Sequence, residues 1–249
     1  MRTEYKGCGI YYNQLGEGRE VILLHGWGYD SSLLMPLAQF LSAFCRVTLI
    51  DLPGHGQSDQ PIEPMDIYDF AGAVKCVMDE ADIKSASFIG HSNGGRTILA
   101  MSRDYGQCFE KLVLCDSAGI RPKRTLKYYI KVYWYKLIKN IMRLPIFTQE
   151  SRERFKKNRG SEDYRKLSDV MRATFSRIVN EDLKYLLKDI KVPTLLIWGD
   201  KDTDTPPYMA EILKENIPDC GLVMYSGAGH YAFLERLGQT ERVLESFLK

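Results

Sequence analysis

Between the short apolar run Ala86-Ser-Phe-Ile89 and a stretch from Ser92 to Arg103 with helical character, the chain reads Gly90-His91-Ser92-Asn93-Gly94. A serine with glycine two residues to either side, at a strand-to-helix boundary, matches G-x-S-x-G. The glycines permit a tight, strained turn that lifts the serine hydroxyl above the edge of a sheet. Such a junction requires a strand that feeds directly into a helix, so it restricts the architecture before any chemistry is considered.

The remaining sequence repeats that rhythm. Gly9 to Leu15 alternates loosely and ends in a glycine turn. Glu20-Val-Ile-Leu-Leu24, Arg46-Val-Thr-Leu-Ile50, Lys111-Leu-Val-Leu114, Pro193-Thr-Leu-Leu-Ile-Trp198 and Gly221-Leu-Val-Met-Tyr225 are unbroken aliphatic or β-branched runs. Runs of this kind suit strands covered on both faces of a parallel sheet. Helical spacing of apolar residues predicts helices over Leu33 to Phe44, Asp66 to Ala81, Tyr208 to Asn216 and Phe233 to Leu248. Alternating βα units without an internal repeat predict an α/β fold with a doubly wound, mostly parallel sheet.

Charge divides the chain. Residues 121–191 hold 20 Lys or Arg and 8 Asp or Glu, while the other 178 residues hold 14 and 24. This basic stretch reads as a helical insertion between two strands, giving a core of residues 1–120 and 192–249 with an inserted unit at 121–191. On a helical wheel for 124–143, Leu126, Ile130, Tyr133, Trp134, Leu137 and Ile141 share one face, with Lys127, Lys131, Lys136, Lys139 and Arg143 opposite. The apolar face is a candidate roof for a substrate pocket, through Tyr133 and Trp134. The basic face suits an acidic carrier protein, an anionic lipid surface or an acidic small ester. Nucleic acid is not expected, because the acidic body would repel a phosphate backbone.

The N-terminus, Met1-Arg2-Thr3-Glu4-Tyr5-Lys6, has no apolar segment of the kind that heads a secretory signal. No apolar run approaches the roughly 20 residues that cross a bilayer. Six cysteines without a C-x-x-C pair read as reduced thiols, neither a disulfide frame nor a zinc site. The expectation is a cytoplasmic enzyme with no metal and no organic cofactor.

A serine hydroxyl needs a positioned base, and the chain has four histidines. His91 adjoins the nucleophile, where the turn directs its side chain away from Ser92 Oγ. His25 and His55 lie in glycine-rich loops and suit loop ordering. His230, in Ser226-Gly-Ala-Gly-His230 after the last strand, is the expected base. The base needs a carboxylate to hold its tautomer. Asp202, in Trp198-Gly-Asp-Lys-Asp202, is the first choice, since Asp200 falls within the tight turn; Asp204 and Asp116 remain alternatives. An oxyanion hole would take the N–H of Asn93 at a helix start and that of Trp27 in His25-Gly26-Trp27-Gly28, with Trp27 also lining the substrate site.

Taken together, Leu24-His-Gly-Trp-Gly28, Asp51-Leu-Pro-Gly-His-Gly-Gln-Ser58, the turn at Ser92, Trp198-Gly-Asp-Lys-Asp202 and Gly229-His230 resemble the α/β-hydrolase superfamily over essentially the whole chain. The resemblance implies a triad of Ser92, Asp202 and His230, a helical lid between the sixth and seventh sheet strands, and a mainly structural loop at Asp51 to Ser58. The His-Gly-Trp-Gly loop is similar to that of the pimeloyl-acyl-carrier-protein methyl ester carboxylesterases. The expected activity is hydrolysis of a carboxylic ester or thioester through an acyl-enzyme. Carbon–carbon bond hydrolysis or acyl transfer on the same triad, and a non-catalytic ligand receptor on a hydrolase fold, are the alternatives.

Overall fold

The computed structural model describes residues 1–123, Trp134 and 167–249. Its elements in chain order are β1 (Arg2–Tyr5), β2 (Cys8–Leu15), β3 (Arg19–Leu24), α1 (Met35–Leu41), β4 (Cys45–Ile50), α2 (Ile67–Glu80), β5 (Ala86–His91), α3 (Asn93–Tyr105), β6 (Phe109–Cys115), α4 (Asp169–Asn180), β7 (Thr194–Gly199), α5 (Tyr208–Asn216), β8 (Cys220–Tyr225), α6 (Ala232–Glu235) and α7 (Leu237–Leu248).

The eight strands form one sheet in the order β1-β2-β4-β3-β5-β6-β7-β8. β1, β2 and β4 pair antiparallel, and every pairing from β4 through β8 is parallel. The central strands are buried on both faces because each must meet a helical layer. In β3, Ile22 and Leu24 join the layer built with Phe70, Phe88 and Trp198, whereas Val21 and Leu23 join the layer of Leu37, Leu41, Phe233 and Leu244. Side chains that alternate across the strand explain the split. Asp66 closes the start of α2 with a reciprocal capping box, its side chain accepting from Tyr68 and Asp69 while Asp69 accepts from the Asp66 amide.

Three details depart from the sequence reading. The N-terminal residues form an additional strand, β1, whose register pairs Thr3 with Ile10. The helix expected from Leu33 begins as a 3-10 turn at Ser31–Leu34 and becomes α-helical only from Met35, where Pro36 suits the first turn. The final helix breaks at Arg236, whose φ of −123° and ψ of 40° separate α6 from α7.

Between β6 and β7, α4 is tied to the body. Arg96 of α3 donates from Nη1 to the carbonyls of Ile178 and Glu181, at 2.7 and 2.8 Å. Met65 N donates to Thr174 Oγ1 at 3.1 Å. All six cysteines are unpaired. Among the described residues, no helix is long and apolar enough to cross a membrane.

Candidate active site

Each chemistry-bearing residue follows the carboxyl end of a parallel strand, the side where open α/β sheets bind their ligands. Ser92 sits between β5 and α3 with φ of 51° and ψ of −110°. A positive φ on a residue with a Cβ costs conformational energy and persists only where the surroundings enforce it. Here Ser92 N donates to Cys115 O, and Ser92 O accepts from Arg96 N and Ala118 N, at 3.0 to 3.1 Å. Gly90 and Gly94 make the turn possible. A Cβ on Gly90 would lie 2.6 Å from Gly95 N, and one on Gly94 would run into the Leu24 carbonyl oxygen.

From that turn the Ser92 hydroxyl reaches His230 Nε2 at 3.0 Å. His230 Nδ1 donates to Asp202 Oδ2 at 2.8 Å, which fixes the tautomer and leaves Nε2 free to accept the serine proton. Asp202 Oδ2 also accepts from Thr205 Oγ1 at 2.6 Å, and its Oδ1 accepts from the amides of Asp204 and Thr205 at 2.8 and 3.0 Å. Burial pushes the Asp202 carboxyl up, but the hydrogen bonds from His230 and Thr205 outweigh it and hold it below the ordinary carboxylate range. Burial likewise pulls His230 down, and the Asp202 bond and charge outweigh that and hold the imidazole above its ordinary value. Each partner therefore favours the charged form of the other.

The other three histidines are unfit as bases. Burial, helped by the neighbouring His230, depresses His91 to about 3. Burial brings His55 down to about 4 and lowers His25 as well. Each has a structural bond instead: His25 Nε2 accepts from Leu52 N at 3.0 Å, His55 Nδ1 donates to Pro53 O at 2.9 Å, and His91 Nε2 donates to His230 O at 2.8 Å.

Asp116, an alternative acid on sequence grounds, is fully buried and spends its carboxylate on two backbone amides, Gly199 and Ala232. Asp200 accepts from Gly227 N at 2.8 Å, away from the base. Asp204 is exposed; its carboxylate, that of Asp202 and a His230 ring nitrogen lie within 4.8 Å of one another, a spacing a cation can bridge. Two of those donors are already committed to each other.

The loop after β3 runs directly against the nucleophile. A Cβ on Gly26 would stand 3.3 Å from Ser92 Cβ and 2.9 Å from His91 Nδ1, so this loop approaches only because residue 26 has no side chain. Trp27 is the next residue along that loop. Asn93 is the first residue of α3, so its N–H has no intrahelical acceptor. The Trp27 indole packs edge-on to His55 at 4.7 Å and against Phe175 of α4 at 5.0 Å between ring centroids. Trp134 is 57% exposed, and Tyr133 lies outside the described residues.

Two features escaped the sequence reading. Thr205 holds the acid, and only its place three residues after Asp202 could have hinted at that. Tyr231 Oη donates to Tyr29 Oη at 2.7 Å, joining the loops after β3 and β8, a contact between residues far apart in sequence without a local signature.

A model described as the alpha/beta hydrolase family matches residues 21–243. The chain belongs to the alpha/beta hydrolase family. This hydrolase is 29% identical to a 2-hydroxy-6-oxo-6-phenylhexa-2,4-dienoate hydrolase of Comamonas testosteroni, with 96% of this chain and 91% of the relative aligned. It is 29% identical to a 2-hydroxy-6-oxononadienedioate/2-hydroxy-6-oxononatrienedioate hydrolase of a Pseudomonas species, with the same coverage of 96% and 91%. Among solved structures, the enol-lactonase of Burkholderia xenovorans superposes on the hydrolase with a TM-score of 0.77 at 25% identity, covering 100% of this chain and 99% of that one.

Proposed function

We infer that the chain is a serine hydrolase that cleaves a carboxylic ester or thioester of a small acyl substrate through an acyl-enzyme. The observation that carries this reading is the continuous hydrogen-bonded line from Ser92 Oγ through His230 to Asp202, starting at a strained strand-to-helix turn. His230 Nε2 takes the hydroxyl proton as Ser92 Oγ bonds to the acyl carbon. The carbonyl oxygen becomes an oxyanion held by the amides of Trp27 and Asn93, each such donor worth roughly 2.7–4 kcal/mol. Protonated His230 then gives its proton to the leaving oxygen or sulfur as that bond breaks. A water, deprotonated by the same nitrogen, attacks the acyl-enzyme and restores Ser92.

The test is turnover of short p-nitrophenyl esters by the wild type and by Ser92→Ala, together with covalent capture by a fluorophosphonate probe. A wild type that shows neither turnover nor capture would rule the reading out.

A second reading is favoured by the relatives. A 2-hydroxy-6-oxo-dienoate has no ester bond, so a hydrolase acting on one breaks a carbon–carbon bond beside the 6-oxo group. The same serine and imidazole would serve that chemistry in this chain. The hydrogen-bonded Ser92–His230 pair, poised to form an acyl-enzyme, keeps the ester reading first. Loss of the dienoate chromophore on incubation, faster than turnover of any ester in a series of acyl lengths, would reverse the order.

The basic stretch of 121–191 is proposed to recruit an anionic partner or substrate, either an acidic carrier protein or an anionic lipid surface, with catalysis itself in the aqueous phase. Charge reversal at Lys127, Lys131 and Lys139 should then raise KM at low salt; an unchanged KM dismisses recruitment by charge.

A further inference from the structure

Asp116 has no part in the proposed proton transfer, yet it is bonded to the strand end that leads into the Asp202 loop and to the helix start that follows His230. It follows β6 with a φ of 44°, a left-handed conformation unfavourable for a residue with a Cβ, and it is completely buried. Its Oδ1 accepts from Gly199 N at 2.9 Å, three residues before Asp202. Its Oδ2 accepts from Ala232 N at 3.1 Å, two residues after His230. Its main chain is fixed as well, with Asp116 N donating to Ile197 O at 2.9 Å. Thr205 Oγ1 lies 2.9 Å from Asp116 O and 2.6 Å from Asp202 Oδ2, so its single proton faces an acceptor on each aspartate.

The loops bearing Asp202 and His230 also bond to each other directly, Lys201 N donating to Ala228 O at 2.9 Å and Gly227 N to Asp200 Oδ1 at 2.8 Å. Gly199 carries the loop of residues 228–229 directly on its backbone, since a Cβ there would run into the carbonyl oxygens of Ala228 and Gly229. A single carboxylate bonded to the end of β7 and to the start of α6 adds a second tie between the positions of Asp202 and His230. An isolated buried carboxylate would be costly; two charge-assisted amide bonds offset part of that cost. Burial still pushes the group up to about 7, the mark of a carboxylate kept in an unfavourable place.

We propose that Asp116 is a positioning residue for the triad: its two carboxylate oxygens clamp the end of β7 that leads to Asp202 and the start of α6 that follows His230 to one point at the end of β6. It touches no reacting atom and acts through the geometry of the other two side chains. The proposal rests on the serine hydrolase reading for its kinetic readouts.

The experiment compares wild type, Asp116→Asn and Asp116→Ala. Asparagine keeps one carbonyl acceptor but opposes the other amide with an NH₂ group; alanine removes both acceptors. The measurements are the fluorophosphonate labelling rate, kcat and KM on a p-nitrophenyl ester, the thermal midpoint, and the low-field proton resonance of the His230–Asp202 bond. Expected is a fall in kcat and labelling of roughly 10- to 100-fold in Asp116→Asn, from sub-ångström misplacement of the base. KM should stay within about threefold, and the low-field resonance should shift or broaden while the protein remains folded. Asp116→Ala, where it folds, should lose more. Wild-type labelling and an unmoved resonance in a folded Asp116→Asn would overturn the proposal, as would a rise in KM that accounts for the whole loss. A wild type that neither labels nor turns over ester counts against the serine hydrolase reading, and the resonance, which needs no substrate, still decides on Asp116.

Discussion

His91 Nε2 lies 2.8 Å from the backbone carbonyl oxygen of His230, so the residue before Ser92 grips the main chain of the proposed base. The ring that makes this bond is held neutral by burial and by its histidine neighbour, and it also packs against Gly26 of the loop after β3. Replacing it by alanine should cost kcat about 10-fold or more with a smaller change in KM, because the base loses a main-chain anchor. Steady-state kinetics on a p-nitrophenyl ester checks this, and an alanine variant with wild-type kcat removes His91 from the positioning network.

Removing the proposed nucleophile separates chemistry from strain. Ser92→Ala should lower kcat by at least ~10³-fold and abolish fluorophosphonate capture while leaving the fold intact. Ser92→Gly should be just as inactive but more stable than Ser92→Ala by roughly 1 kcal/mol, since glycine accepts a positive φ without the Cβ penalty. Denaturant unfolding of the two variants measures the difference. Equal midpoints would show that the φ of 51° stores no recoverable strain.

The pH profile follows from the pair of His230 and Asp202. In the proposed mechanism His230 works unprotonated, and its raised affinity for protons should move the acidic limb of kcat/KM above the ordinary histidine value of 6.5. Asp202→Asn takes away the charge that raises it, so the limb should move to lower pH while kcat falls by about 10⁴-fold. A limb that stays in place would mean that another group governs the titration.

Stability should carry the same signature. The depressed carboxyl of Asp202 contributes stability that is complete above its unfolded value of 3.8 and is lost as pH falls through the folded value. The raised imidazole of His230 contributes stability that is complete below 6.5 and is lost as pH rises through its folded value. The advantage in thermal midpoint of wild type over Asp202→Asn should therefore peak between 3.8 and 6.5 and shrink on either side. Calorimetry across pH 3 to 9 reads it directly; a flat difference contradicts the linkage.

The turn also sets a stability requirement that has nothing to do with chemistry. Gly94→Ala would drive a methyl group into the Leu24 carbonyl oxygen, part of the backbone of β3, which cannot move aside cheaply. Such overpacking should cost about 3 kcal/mol or more, enough to lower the thermal midpoint by several degrees. A variant that unfolds like the wild type would show that the α3 start can slide away from the sheet.

Much of this architecture is readable from local pattern. The buried strands announce themselves as unbroken aliphatic runs, and Ser92, Asp202 and His230 each stand just past such a run. Tyr208–Asn216 is bounded as the periodicity predicts. What escapes is long-range and polar. Nothing near Asp116 says that Gly199 and Ala232 will offer it their amides, and nothing near Thr205 says which acceptor its hydroxyl meets. The break at Arg236 is hidden because α6 and α7 are both amphipathic and keep one continuous apolar face toward the sheet, with Phe233 and Leu244 in the same layer. β1 is a short edge strand, half exposed, with too little apolar alternation to stand out.

The bond from Arg96 to the end of α4 has a consequence for how such a chain can be re-engineered. The guanidinium anchors the carbonyls of Ile178 and Glu181 to the very helix that begins at the nucleophile turn, and on the other flank Lys123 N is held by Tyr208 Oη at 3.0 Å. The chain is thus bolted to the scaffold at Lys123 and again at the end of α4. A graft between those two anchor points would leave both bolts in place, which makes them natural splice boundaries for grafting new selectivity.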